Sequence, residues 1–516
     1  MKNIKFIIGS AIALIFISGI ATSCNDWLKQ APQGRWTIDD VEGGAYTTQI
    51  MAIYQAMRGY SITGGIPPLM IENARSEDEY KGSTSSDGAD QEAMFDNFSY
   101  SASNGTIKSY WTANYSIIND CNTIIDNLDS LNKVSGLNEA TKYINMEAHF
   151  FRAYCFFNLV RAFGEVPLVD FAITSSDQAN IAKSPVGDIY TLIDSDLTYA
   201  EGLPVSWESK YIGRLTWGAA RSLHARTYMT RNDWGNMYTA ATDVINSKLY
   251  NLNTPFDKIF RESGENNSGS IFEIQCTATT GLPASSDIGS QYAQVQGCRG
   301  SGDSDLGWGW HMATQKLAEA FETGDPRKDE TLLYYTRPGE NWNDMITALG
   351  YPADGNKPYG EKLSAQNCLG RYFNKKVYTN PSIRTSIGNR FGYWFNIRII
   401  RYSDVVLMAA ESANELGNQP DAIKYLEMVR SRARGNNSSL LQKVTTTDQS
   451  ELRKAIHHER RVELAMEAGR FYDLVRWGEA DSVLGPLGYK PKNQYLPIPQ
   501  DEIDASNGVL VQNPNY

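Results

Sequence analysis

The chain has 516 residues, a formal net charge of −11 and 41% hydrophobic residues, the balance of an acidic globular protein. That sign excludes nucleic acid and anionic lipid as expected partners, because both need a basic surface. Its 29 Tyr and 11 Trp carry flat apolar faces with polar edges, which suit binding surfaces as well as helix packing.

The first element is an export signal. Lys2 and Lys5 precede an apolar run at residues 6–20, and Ala21-Thr22-Ser23-Cys24 follows. The run is about 15 residues, short of the roughly 20 that span a bilayer. A cysteine behind small residues is the layout of a lipoprotein cleavage site, with Cys24 as the lipidated first residue. Ala21 stands where such a box usually has leucine. Removing residues 1–23 takes away Lys2 and Lys5, so the mature charge is −13. No later stretch is apolar for long enough to span, so the remainder is expected to be soluble and tethered.

After a lead-in at 25–37, a helix is expected at about 41–58. From 59 to about 108 the pattern dissolves into Gly, Ser and Asp with scattered aromatics. Helix resumes at about 110–131. The next helix carries one apolar stripe, Ile144, Ala148, Phe151, Cys155, Leu159 and Ala162, and stops at Gly164 before Pro167. Helices follow near 185–200, 215–230 and 234–247. Residues 250–395 are irregular, Gly-rich and aromatic-rich. Helix returns at about 398–416, turns at Gly417-Asn418-Gln419-Pro420 and continues at 421–434. Small residues such as Ala409, Ala410, Ala413 and Ala422 let paired helices approach closely, as in tetratricopeptide-type repeats, although the full 34-residue signature is absent.

The C-terminal quarter is an amphipathic helical run from His457 to Asp481, with the last long helix at roughly 449–468. Glu459, Arg460, Glu463, Glu467 and Arg470 recur at three- and four-residue spacings, which places them on one face within pairing reach. Ile456, Leu464, Phe471 and Leu474 supply an apolar face. Leu496-Pro497-Ile498-Pro499 forbids helix and predicts an extended strap. The tail ends Gln512-Asn513-Pro514-Asn515-Tyr516.

This combination resembles the SusD/RagB family of surface nutrient-binding lipoproteins. The resemblance also rests on Glu147-Ala148-His149-Phe150-Phe151-Arg152-Ala153-Tyr154 and Gly164-Glu165-Val166-Pro167-Leu168. Further stretches run from Thr314 through Asp325-Pro326-Arg327 and from Arg401 through Ala410-Glu411. It covers nearly the whole mature chain. It implies a mostly α fold, with a tetratricopeptide-like helical-repeat scaffold and an irregular, loop-rich ligand-binding subdomain. Residues 24–516 then form one SusD-like domain. The scaffold occupies about 38–250 and 396–480, the variable binding face about 59–110 and 250–395, and the strap about 485–516. It further implies a non-catalytic protein, lipid-anchored in the outer membrane and facing outward. Such a protein takes a glycan or its oligosaccharides and hands them to a SusC-like TonB-dependent transporter.

Enzyme chemistry is poorly served by the residues. Glu459, Glu463 and Glu467 offer paired carboxylates of the glycoside hydrolase kind. However, Arg460, Arg461 and Arg470 interleave with them, and a general acid needs its pKa raised, not lowered. The run therefore reads as a structural ion-pair network. HExxH, GxSxG, P-loop and dinucleotide fingerprints are all missing from the sequence. Gly307-Trp308-Gly309-Trp310 lacks the lysine and helix start of a phosphate cradle. Asp303 and Asp305 are too few oxygens for a calcium loop and read as a turn. No cofactor and no metal is expected. Cys121 and Cys155 read as small core residues, and one disulfide among Cys276, Cys298 and Cys368 stays open.

Binding is better served. A sugar presents C–H patches ringed by hydroxyls, so its site needs aromatic plates and planar polar side chains. The middle region has Tyr292, Gln294, Arg299, Asp303, Asp305, Trp308 and Trp310, and a second cluster has Trp342, Asn343, Tyr351 and Tyr359. The early irregular segment adds Arg75, Tyr80, Phe95 and Tyr100. Trp308 and Trp310 face the same way in an extended chain. Two rival readings stay open: peptide capture by the same architecture, and an envelope scaffold with no small ligand. A clustered, exposed aromatic platform favours capture, and scattered buried aromatics favour the scaffold.

Overall fold

The computed structural model describes residues 43–355, 358–361, 363–467 and 469–516. The signal and Cys24 lie outside these residues. Ten helices carry the scaffold argument: α1 Ala45–Met57, α2 Gly105–Ser135, α3 Glu139–Phe163, α4 Val186–Ala200, α5 Trp217–Thr230, α6 Trp234–Asn246, α7 Tyr402–Glu415, α8 Gln419–Arg434, α9 Gln449–Glu463 and α10 Arg470–Arg476. Each of α2 to α7 packs on the next, and α7 packs in turn on α8 and α9. The fold is mostly helical, as expected.

Local chemistry sets the helix limits. The Asn104 side chain accepts from the N–H groups of Thr106 and Ile107, and Asn138 accepts from Thr141 N–H, so α2 and α3 start on capped ends. Gly136 and Gly164 follow their last turns at φ 75° and 74°, where a side chain would be strained. Every residue of the α3 stripe from Ile144 to Ala162 is buried. Ala409, Ala410, Ala413 and Ala422 are fully buried where α7 meets its neighbours.

Charged staples tie these helices together. Arg214 holds the Glu147 carboxylate with Nε and Nη2 at 2.9 and 2.7 Å, and the Tyr54 hydroxyl donates to it at 2.7 Å. Arg152 holds Asp196 in the same two-pronged way at 2.8 and 2.7 Å, which joins α3 to α4.

The two irregular regions are less irregular than their sequence. They contribute a four-stranded antiparallel sheet in the order β1-β5-β7-β6, where β1 is Glu79–Gly82, β5 Trp310–Ala313, β6 Leu332–Tyr334 and β7 Tyr372–Asn374. Two two-stranded pairs complete the strands: β2 Val166–Pro167 with β3 Lys183–Ser184, and β4 Ser270–Ile274 with β8 Ile397–Arg401. The helix expected at 398–416 therefore begins as strand. Ile397-Arg398-Ile399-Ile400-Arg401 is rich in β-branched residues, and α7 starts only at Tyr402.

The charged C-terminal run is also divided. Helix α9 ends at Glu463, and Met466 and Gly469 then take φ of 64° and 104° before α10 begins. Glu467 and Arg470 thus leave the α9 face, and their partners come from other elements: Arg401 and Lys376 for Glu467, Glu77 for Arg470.

The strap is extended as expected, with Leu496 and Ile498 fully buried. Leu496 N–H donates to Ala162 C=O at 2.7 Å, and the Asn513 amide donates to Phe163 C=O and Leu496 C=O at 2.8 Å each. The five described cysteines are all free, Cys121 and Cys155 deep in the core.

Candidate ligand-binding face

The carboxylates that most resembled an active site are structural. Glu463 has no exposed surface and lies 2.6, 2.9 and 3.1 Å from Arg432, Arg401 and Arg327. Burial pushes its carboxyl up, and the three guanidinium groups outweigh that and hold it well below the usual range. A group held ionised in this way has no proton to give as a general acid.

An interior cavity of about 110 Å³ lies between the helices and the variable region, large enough for a few waters. Tyr292 lines it beside Arg398, Arg401 and Glu467, and burial pushes its phenol up to about 12. Tyr292 is half-buried, with its ring packed against the main core. Arg75 is likewise enclosed: Nε donates to Ile71 C=O at 2.8 Å, and the guanidinium lies 3.8 Å over the Phe471 ring. Phe95 and Tyr100 are core residues with ring centroids 5.2 Å apart.

The end of β1 builds an exposed polar rim. Tyr80 pairs across the sheet with Met312 and is 41% exposed. Lys81 turns the other way, donating to the carbonyls of Gly82, Thr84 and Asp87 at 3.2, 2.9 and 2.5 Å. That wraps loop 82–88 around its ammonium and sets Nζ 5.0 Å from the Trp310 ring. Trp310 is 7% exposed beneath this loop, so it supports the rim and does not display a face. Gly309 at φ 72° breaks the extended chain, so the alternation expected of Trp308 and Trp310 fails. Trp308 is half-buried against the main core. Arg299 is exposed, donates to Ser83 Oγ at 2.7 Å and pairs with Asp87. Asp96 sits behind, accepting from Lys81 N–H at 2.7 Å, and burial pushes its carboxyl up to about 7.

The second expected cluster is mostly packing. Tyr351 is buried and donates to Tyr335 C=O at 2.9 Å, while Trp342 donates to Pro352 C=O at 3.0 Å and meets Tyr351 edge-on at 5.0 Å. Asn343 is exposed beside them, and Tyr359 is exposed and stacked on Tyr378 with centroids 6.4 Å apart. Gln294 is buried, accepting from Tyr393 at 3.1 Å.

Asp303 opens instead onto a cleft of about 630 Å³, opposite residues 381–391, and Asp305 pairs with a residue of its far wall. Arg390 Nη2 lies 2.6 Å from Asp305 Oδ2. Across from them stand Arg384, Asn389 and Phe391, which the sequence reading did not single out. Their only sequence signal was a turn-rich stretch with a basic–aromatic pair. Among the described residues, no group of three or more Asp, Glu, His or Cys is placed to hold a metal ion.

Comparison with known proteins agrees with this architecture. Residues 268–494 match the profile of the SusD family, and residues 60–229 match one described as starch-binding, associating with outer membrane. SusD-like protein P2 of Formosa agariphila is 28% identical over 441 residues, covering 81% of this chain and 83% of that protein. Among solved structures, a laminarin binding SusD-like protein superposes with a TM-score of 0.74 at 26% identity, over 92% of this chain and 99% of that one. The fold is shared with surface glycan-binding protein A of Bacteroides thetaiotaomicron in complex with laminarihexaose: TM-score 0.73, 24% identity, 92% and 99% coverage.

Proposed function

This chain belongs to the SusD/RagB family, and we propose that it captures a neutral glycan, or its oligosaccharides, at the cell surface. Such family members are non-catalytic glycan-binding proteins, and this chain is not an enzyme. We further propose that Cys24 carries the lipid anchor in the outer membrane and that the bound glycan passes to a SusC-like TonB-dependent transporter.

One observation carries the capture reading. The carboxylates of α9 that could have served catalysis are consumed in buried pairs, while Tyr80 and Arg299 stand exposed on the rim at the end of β1, with Arg299 paired to Asp87. Planar donors and acceptors at an open surface match the hydroxyls of a sugar better than an apolar side chain of a peptide. The 26% identical neighbour named for laminarin binding and the starch-binding profile support the same ligand class. The burial of Trp310, Phe95 and Tyr100 is the arrangement expected of the scaffold reading, so capture rests on the polar rim with the single open ring of Tyr80 and on the relatives above. A glycan array followed by calorimetry on the purified protein tests the reading. Saturable binding of a neutral glycan is expected. Binding of peptides with none of glycans would transfer the protein to peptide capture, and binding of neither would leave the envelope scaffold.

A further inference from the structure

We propose that the cleft between residues 302–306 and 381–391 is a second saccharide subsite, which takes an uncharged segment of a chain whose neighbouring segment lies at Arg299. This rests on the capture reading above.

The cleft has the size of a small-molecule site, about 630 Å³. Its two described cations are already paired. Arg390 Nη2 sits 2.6 Å from Asp305, and Arg384 pairs with Glu361, whose Oε2 also accepts the Tyr378 hydroxyl at 2.7 Å. Asp303 is exposed and has no partner among the described residues. Among the described residues, an incoming sulfate or uronate would find no unpaired cation here and would meet one unpaired carboxylate. A neutral hydroxyl does better, because it donates to Asp303 and accepts from the guanidinium N–H groups that single pairs leave unused.

The groups are also held in place. Arg384 is only 7% exposed, with its guanidinium 5.4 Å from the Tyr378 ring, so its planar fork is fixed before a ligand arrives. Leu306 and Phe391 add an apolar strip for the C–H face of a sugar, and the Arg390 guanidinium lies 5.0 Å from the Phe391 ring. Asp303 lies four positions after Arg299, which limits their Cα separation to roughly 14 Å. An oligosaccharide of a few sugars is long enough to reach both places.

The test is calorimetry on the full-length chain with linear oligomers of laminarin and of starch, from two to eight sugars. Wild-type affinity is expected to rise with length until both places are filled. Asp303→Ala and Arg390→Ala should each lower affinity for the longest oligomers by about tenfold or more, as expected for lost hydrogen bonds to charged groups. Short-oligomer affinity and Tm should stay unchanged. An unaltered length dependence in both variants would overturn the subsite and leave capture standing. A wild-type protein that binds no saccharide would overturn the capture reading, and the subsite with it. Tighter binding of sulfated oligomers that these variants abolish would overturn the uncharged-segment claim.

Discussion

Arg327 Nη1 lies 2.5 Å from Glu459 Oε1, and neither side chain has exposed surface. The two residues belong to different parts of the molecule, Arg327 to the variable region and Glu459 to α9. Arg327 also grips Asp325 at 2.8 Å and Glu463 at 3.1 Å. Glu463 continues to Arg401 and Arg432, and Glu459 to Arg430 at 3.0 Å. The carboxylates of α9 therefore rivet the variable region to the helical scaffold.

Removing one member strands the others in a site without water, and a broken buried pair costs about 3–5 kcal/mol. Arg327→Met should lower unfolding stability in urea by that amount. Glu463→Gln should lower Tm, and the protein should show no glycan hydrolysis before or after the change. Wild-type hydrolysis that Glu463→Gln stops in a still-folded protein would contradict the structural role.

Much of this was legible in the sequence, for a physical reason. Helices α2 and α3 carry local signals, Asn caps and Gly stops at their ends and, in α3, a 3.6-residue stripe, which need no knowledge of partners. The proline-locked strap is equally local. The strands were hidden because β1, β6 and β7 are three or four residues long and take their register from distant partners. The break after Glu463 was hidden because the 459–470 charges keep helical spacing while their partners, Asp78, Glu77 and Arg401, lie elsewhere in the chain. At the candidate face, composition marked loops rich in aromatic and polar residues. It did not separate Trp310, roofed by the Lys81 loop, from Tyr80, which is open.

Stability should depend on pH through Asp96. Its folded carboxyl sits at about 7, above the 3.8 of the free group. Below about 4 both folded and unfolded forms hold the proton. As pH rises from there to about 7, only the unfolded form releases it, so the contribution of Asp96 to stability falls across that window. Asp96→Asn keeps an acceptor for Lys81 N–H and should flatten the fall, giving a higher Tm than wild type at pH 8. Glu265, also pushed up to about 7 by burial, retains the same sign and keeps part of the slope. A Tm difference independent of pH between the two proteins would reject this assignment.

The strap is held by Asn513, whose amide bridges Phe163 C=O and Leu496 C=O. Asn513→Ala leaves two buried carbonyls short of a donor, at about 1–3 kcal/mol for an unmade buried hydrogen bond. Chemical denaturation should show that loss. Limited proteolysis should cut the tail sooner, and glycan affinity should hold, because the contact is remote from the candidate face.

Anchoring is expected to depend on Cys24, which follows the short apolar run and the small residues Ala21-Thr22-Ser23. Cys24→Ala should abolish palmitate labelling and move the protein out of the membrane fraction. Unchanged labelling and fractionation would refute the lipid anchor.

Two rings should separate recognition from packing. Tyr80 is open on the rim, so Tyr80→Ala should leave Tm in place and weaken glycan binding. By analogy with aromatic stacking on a base, the loss is about 1–3 kcal/mol, or roughly five- to 150-fold in Kd. Trp310 lies under the Lys81 loop, so Trp310→Ala should cost about 3–5 kcal/mol of stability, as for other large core truncations. Any fall in its affinity should then track the collapsed loop that carries Ser83 and Asp87. Trp308, half-buried, should show both effects in part, whereas Trp342→Ala should act on stability through its contact with Tyr351. Stacking and neutral hydrogen bonds respond little to screening, so wild-type affinity should hold between low and high salt. A steep fall with added salt would mean a charged ligand, which the mature charge of −13 makes an unfavourable partner if anionic. If Tyr80→Ala and Trp308→Ala both bind like wild type, the rim at the end of β1 is not where the glycan sits.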